Sequence, residues 1–211
     1  SKQIIFSDEQ DYDRFTKLLF LCNSKIGVNF RTDIIERGID AWDFDREEPL
    51  VSICAWTLMP NHFHLYVYIP ETQNKINYQV NNTNATVFMH KMGTAYSKYF
   101  NTKYNRTGSL FEGKFKSVHI ENDVQARYLF SYIHLNPVKL MQADWKEQGV
   151  RDKKAAFQYA KDYKYSSLKD WLGINRKESL ILDKNKLSDI LPTNFSPVED
   201  LFQWLSFKNV E

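Results

Sequence analysis

Leu50-Val-Ser-Ile-Cys-Ala-Trp-Thr-Leu-Met-Pro-Asn-His-Phe-His-Leu-Tyr-Val-Tyr-Ile69 reads as a strand, a break and a second strand. From Leu50 to Thr57 the chain is largely apolar and free of Gly and Pro, which predicts a strand. Pro60-Asn61 supplies turn chemistry, and His62 to Ile69 resumes as the second strand. Residues two apart on a strand point to one face, so His62 and His64 share a face while Phe63 turns to the core. Two imidazoles side by side suit a divalent ion and leave open positions for substrate oxygens. A His-x-His pair is common on protein surfaces, so the pair gains meaning only from what accompanies it.

Working outward, Ser7-Asp8-Glu9-Gln10 has the character of an N-cap followed by acids in a first turn. It opens a predicted helix running to about Cys22, with Tyr12, Phe15, Leu18, Leu19 and Leu21 as its apolar stripe. Residues 24–49 mix charge, Gly and Pro and give no clear element. Residues 70–82 are polar and read as a loop. A helix is predicted from Asn84 to Lys103, with Val87, Phe88, Met92, Ala95, Tyr96 and Tyr99 at helical spacing. Gly108 to Ile120 reads as loop plus strand, with Gly113 as a break. Asn122 and Asp123 cap a further helix, which should end at Asn136 because Pro137 disfavours helical geometry just before it. Four more helices are expected at 152–163, 166–172, 184–191 and 196–207.

The whole chain has 211 residues, 43% hydrophobic and 26% charged, enough for one domain with a proper core and a small appended lobe. Its two cysteines, Cys22 and Cys54, lie in apolar stretches and read as buried small hydrophobes in a reducing cytoplasm. No signal peptide and no run of about 18 apolar residues is visible, which predicts no membrane span. Net charge is only +2 but unevenly spread. Residues 1–50 hold seven Lys and Arg against eleven Asp and Glu, whereas residues 89–117 hold six against Glu112 alone. A basic block with interleaved aromatics fits phosphate contact, and a solvated helix face fits it equally well.

The second chemical feature is Tyr132-Ile-His-Leu-Asn-Pro137 at the end of a capped helix. Tyr132 and Asn136 are four apart and share a helix face. A phenol is a poor nucleophile at neutral pH, but beside a metal that polarises a phosphodiester it can attack phosphorus and leave a phosphotyrosine. Asn136, through its amide oxygen, would complete the metal site. Without the His pair, Tyr132 would read as one more half-buried helix tyrosine.

Met59-Pro-Asn-His-Phe-His64 resembles the His-hydrophobe-His motif of HUH single-tyrosine transposases, the IS200-like class. Gly108-Ser-Leu-Phe-Glu-Gly-Lys-Phe-Lys116 followed by Tyr132-Ile-His-Leu-Asn-Pro137 resembles the REP-associated tyrosine transposase branch. Ile5-Phe6, Asp11-Tyr-Asp-Arg-Phe15 and Tyr165-Ser-Ser167 fit that branch too, so the resemblance covers roughly residues 4–173.

The resemblance implies an α+β fold with a ferredoxin-like antiparallel sheet flanked by helices and a metal on the sheet face. It implies a catalytic domain over 1–150, short of the strand with which the family normally begins, and a helical C-terminal extension over 151–211. Carried over, His62, His64 and Asn136 bind Mg²⁺ or Mn²⁺, and Tyr132 is the nucleophile that nicks and rejoins single-stranded DNA near hairpins without ATP. Asn136 stands where the insertion-sequence enzymes often carry Gln. The expected DNA contacts are Asn61, Lys91, Lys98, Arg106, Lys114, Lys116 and Arg127, the last near enough to steady the scissile phosphate or to form a surface ion pair. His134 is expected in packing or DNA contact, and His90 and His119 as ordinary residues. Partners are single-stranded or hairpin DNA, with the chain a monomer or homodimer, no nucleotide cofactor, and bacterial cytoplasm and nucleoid as the setting. A domesticated, non-catalytic hairpin binder is the main alternative. A Rep- or relaxase-like nickase using Tyr128 is the other.

Overall fold

A computed structural model describes residues 3–69 and 83–206. It is an α+β protein with a two-stranded antiparallel sheet, β1 (Ser52–Met59) and β2 (His62–Tyr68), and several helices. In chain order the helices are α1 (Glu9–Leu21), α2 (Asn84–Lys103), α3 (Asp123–Leu135), α4 (Val138–Met141), α5 (Trp145–Gln148), α6 (Lys153–Asp162), α7 (Leu168–Trp171), α8 (Lys184–Ile190) and α9 (Pro197–Ser206). Residues 70–82, expected as a loop, lie outside the described residues. The chain divides into two compact units, Ser1–Ser52 with Val67–Val118, and Ile53–Tyr66 with His119–Glu211.

In the first unit, Asp8 caps α1 by accepting from Asp11 N, and Thr83 caps α2 by accepting from Thr86 N. The buried faces of the two helices meet around Phe15 and Tyr96, whose rings pack edge-on at 4.9 Å. Residues 24–49, which gave no element on sequence, form a π-helical turn Phe30–Ile35 and a 3-10 turn Ala41–Asp43. Asn23 ties this region down through reciprocal hydrogen bonds with Val51. The strand expected toward Ile120 is not formed. Gly113 sits at φ +77°, and Lys114 to Ser117 are all exposed, Phe115 among them, so the segment buries neither of its faces.

In the second unit β1 is buried along nearly its whole length, as its continuous apolar run implies. Its outer edge is satisfied without a full ladder. Leu58 N donates to Tyr165 O and Ser167 N to Trp56 O, both at 2.9 Å, and Asp183 N donates to Ile53 O at 2.8 Å. The Tyr165-Ser-Ser167 stretch thus acts as an edge cover. The helical core holds Leu135, Val138, Ala156, Ala160, Leu168, Leu201 and Leu205. The partition by packing therefore runs differently from the division at residue 150, because α6 and α9 share this core with α3. Cys22 and Cys54 are buried free thiols, as their apolar settings suggested. Among the described residues no helix is long and apolar enough to cross a membrane.

The junction after α3 departs from expectation in a way that matters for the site. Asn136 precedes a proline yet keeps helical angles (φ −55°, ψ −39°), and Pro137 does too (φ −58°, ψ −23°). Pro137 lacks an N–H, so the helical ladder is interrupted, but the chain continues directly into α4. Buried packing of Leu135, Asn136 and Val138 overrides the local bias against helix before proline. Asn136 therefore stays one helical turn beyond Tyr132.

Candidate active site

β2 and α3 bring the separated motifs together within the second unit. The imidazole rings of His62 and His64 lie edge to face with centroids 5.0 Å apart, as their i, i+2 spacing on a strand requires. The His64 ring in turn meets the Tyr132 ring, again edge to face, at 5.3 Å. Phe63, expected in the core, is only half-buried. Tyr132 is half-buried too, so its ring is fixed by packing while part of it reaches solvent.

Asn61, expected on DNA, is placed against His62 instead, with its Oδ1 2.6 Å from His62 Nδ1. An amide oxygen only accepts, so the contact suits the tautomer with its hydrogen on Nδ1, the one that leaves Nε2 open to a metal. The tight Pro60-Asn61 turn sets this contact up, because it puts the amide immediately ahead of the first histidine.

Asn136 is 1% exposed, and neither its amide oxygen nor its amide nitrogen has a hydrogen-bond partner. The hydroxyl of Ser131 on the same helix is also buried and unpartnered. Burying an amide without partners costs on the order of 1–3 kcal/mol, so such a group implies something supplied from outside the chain, a water or an ion. Two adjacent imidazoles are a donor pair compatible with a divalent cation, and the Asn136 amide oxygen, one turn beyond Tyr132, is of a kind that could add to it. Among the described residues no group of three His, Cys, Asp or Glu side chains is assembled elsewhere for a metal.

His134, two residues after Tyr132, belongs to packing alone. It is fully buried, with Nδ1 2.9 Å from Phe130 O and Nε2 2.8 Å from Ser167 Oγ. Burial drives its pKa down to about 3, so it is neutral at physiological pH. Tyr128 is 46% exposed and rests on Trp204 at 4.8 Å, with its own ring 5.9 Å from that of Tyr132. Burial, and then the neighbouring Tyr132, raise its pKa.

Several basic candidates are engaged within the protein. Arg127 is bound by Asp200 of α9 through Nε at 2.8 Å and a terminal nitrogen at 2.6 Å, the ion pair that was one of its two expected roles. Lys91 donates to the carbonyls of Ser24 and Ile26 at 2.6 and 2.5 Å, and burial lowers its pKa. Arg106 reaches Gln3 and lies 5.6 Å over the Phe100 ring. Lys98, Lys114 and Lys116 are exposed, as are His90 and His119.

One residue near the site escaped sequence reading. Lys146 Nζ stands 3.8 Å from the centroid of the Tyr132 ring, well within cation–π range. It comes from α5, a four-residue helix after the proline junction, and no periodicity or motif announced it. Burial first, and then repulsion from Lys139, lower its pKa to about 8, while Glu147 opposes the shift.

Compared with protein-family models, curated proteins and solved structures, the chain gives no significant match.

Proposed function

We propose that the chain is a metal-dependent single-stranded DNA nickase and strand transferase of the HUH transposase type, with the ferredoxin-like HUH fold as its framework and Tyr132 as its nucleophile. The observation that carries this reading is the convergence of His64 and Tyr132, 68 positions apart in sequence, at a ring separation of 5.3 Å. It is strengthened by the buried, unpartnered amide of Asn136 one turn beyond that tyrosine. His62, His64 and Asn136 would hold the ion. A bound Mg²⁺ or Mn²⁺ would supply electrophilic polarisation of a phosphodiester.

The remaining roles fall to the chain itself. Asn61 keeps His62 in the tautomer with Nε2 available. Packing against His64 limits the swing of the Tyr132 ring, which shortens the search for an attacking geometry. The phenol oxygen forms a bond to phosphorus, the bond to the 3′ oxygen breaks, and the energy stays in the phosphotyrosine for rejoining. The exposed Lys98, Lys114 and Lys116 would add salt-dependent affinity for the DNA backbone. Tyr128 rests on Trp204, which favours Tyr132 over it as the attacking group.

The test is a denaturing gel with labelled hairpin DNA from the flanks of the gene, with and without Mn²⁺ or Mg²⁺. The expected result is a metal-dependent nick with a covalent protein–DNA adduct, absent in Tyr132→Phe. Hairpin binding without cutting by the wild type under either metal would overturn the enzymatic reading in favour of a non-catalytic binder.

A further inference from the structure

We propose that Tyr128 is a stacking platform for an unpaired base beside the scissile phosphate, with Trp204 of α9 holding its ring. The proposal rests on the reading of Tyr132 as nucleophile and extends it to the part of the substrate gripped next to the cut.

α3 carries Val124, Tyr128 and Tyr132 at successive i, i+4 positions, which share one face of the helix. Val124 is 71% exposed and Tyr128 46%, so the row stays open to solvent as far as the half-buried Tyr132. The Tyr128 and Tyr132 ring centroids are 5.9 Å apart. That separation lies between one and two of the roughly 3.4 Å steps by which stacked bases rise along a strand. A base on Tyr128 therefore belongs to a nucleotide at, or next to, the phosphate that Tyr132 attacks.

α9 fixes the platform. Trp204 meets the Tyr128 ring edge to face at 4.8 Å, with the two planes 62° apart. The contact steadies the ring while nearly half of the residue stays open. A ring already ordered in this way loses little freedom when a base arrives. One turn earlier on α9, Asp200 accepts from Nε and a terminal nitrogen of Arg127, the residue just before Tyr128. The Arg127 charge is thus answered within the protein, and α3 offers a π surface here rather than a cation. Positive charge for the adjoining backbone stands on the other side of the nucleophile, where Lys146 Nζ lies 3.8 Å from the Tyr132 centroid.

Every base has a π face, so such a site accepts any base and requires only that it be unstacked. A base held in a duplex lies between its neighbours and cannot meet the ring. The nucleotide beside the cut must then be single-stranded, and α9 acquires a role in reading that state.

The experiment is a binding cycle on the whole chain without metal, so that no strand is cut. Labelled hairpin DNA from the flanks of the gene, with its unpaired tails, is compared with strands carrying one abasic site at each unpaired position in turn. Fluorescence anisotropy reads the affinity, and cutting with Mn²⁺ in a separate reaction marks the nicked phosphate. In the wild type, removing the base beside that phosphate should weaken binding about tenfold. Tyr128→Leu keeps an apolar contact for Trp204; it should bind the intact strand about tenfold more weakly and be indifferent to that abasic site. Tyr128→Phe should restore both the affinity and the sensitivity. The slope of log affinity against log salt should be the same in Tyr128→Leu as in wild type, since no phosphate contact is removed. Losses from Tyr128→Leu and from the abasic site that simply add would overturn the proposal and leave Tyr128 as an anchor for α9. So would a wild type indifferent to every abasic site, or sensitive only several nucleotides from the nick, and neither result depends on a variant. Failure of the underlying reading shows separately. A wild type that loses affinity at one abasic site yet leaves the strand uncut with Mn²⁺ overturns Tyr132 as nucleophile and makes the platform that of a non-catalytic binder.

Discussion

Asp11 in the first compact unit and Asn136 in the second are both buried helix side chains, and they differ in what surrounds them. The Asp11 carboxylate accepts from Ser7 N, the Tyr99 and Tyr104 hydroxyls and Lys103 Nζ, at 2.8 to 3.0 Å. Every strong demand of a buried charge is met within the chain, as stability requires. The Asn136 amide is as deeply buried and has no hydrogen-bond partner at either atom. His134 sharpens the contrast, since it lies only two residues earlier and has a partner at both ring nitrogens. The Asp11 cluster closes on itself, whereas the Asn136 amide is left open.

The largest expected effect lies on the closed side. Asp11→Ala would leave Lys103 paired with Asp8 alone, Tyr104 with only its 3.3 Å contact to Asp8, and the hydroxyl of Tyr99 without its acceptor. Chemical denaturation should show a loss of about 2–3 kcal/mol, the scale of leaving buried polar groups without partners. A loss below about 1 kcal/mol would mean that the cluster does not hold the first unit together.

On the open side, His64→Ala should lower Mn²⁺ affinity by more than about 100-fold, beyond the roughly 10- to 100-fold expected for a residue that only orients a ligand. Asn61→Ala, acting through His62, should fall inside that lower range. Titration followed by Mn²⁺ electron paramagnetic resonance reads both values. Equal affinities in wild type and His64→Ala would remove the metal from the site.

Asn136→Leu separates fold from function most cleanly. Because no internal hydrogen bond is lost, the variant should be as stable as wild type or more stable by about 1–2 kcal/mol, while nicking disappears. A clear destabilisation with nicking intact would show that the amide has a structural partner after all.

The last effect is a slope. His134 is neutral in the fold with its pKa lowered by burial to about 3, against an ordinary value of 6.5. Between those values the unfolded chain binds the extra proton, so the stabilising contribution is full above pH 6.5 and shrinks as pH falls toward 3. Folding stability should therefore drop with acidity by about 1 kcal/mol per pH unit from this residue, and His134→Leu should flatten that part of the curve.

Much of the molecule could be read from the residues. The β1–β2 hairpin, α1, α2, α3 and the helices after residue 150 follow from apolar period, capping and turn chemistry. The pairing of His62 with His64 follows from strand alternation. What sequence could not supply was tertiary. Pro137 argued for a turn away from helix, yet core packing keeps Asn136 helical and so preserves its relation to Tyr132. Lys91 was expected on DNA, and Arg127 either at the scissile phosphate or in an ion pair, because sequence shows charge but not the Ser24 carbonyl or the Asp200 carboxylate that engage them. Gly108 to Ile120 looked like loop plus strand, but Lys114 to His119 are exposed, Phe115 and Val118 included, and no strand forms there. Lys146 was invisible because its place beside the Tyr132 ring is one contact across a junction, and no pattern along the chain encodes that contact.

The most direct measurement of Tyr132 as nucleophile is to trap the covalent adduct with Mn²⁺ and hairpin DNA, digest it with nuclease and protease, and locate the residual nucleotide by mass spectrometry. The nucleotide is expected on Tyr132 alone, and none in Tyr132→Phe. A nucleotide on Tyr128, or metal-dependent cutting without any tyrosine adduct, would contradict that assignment.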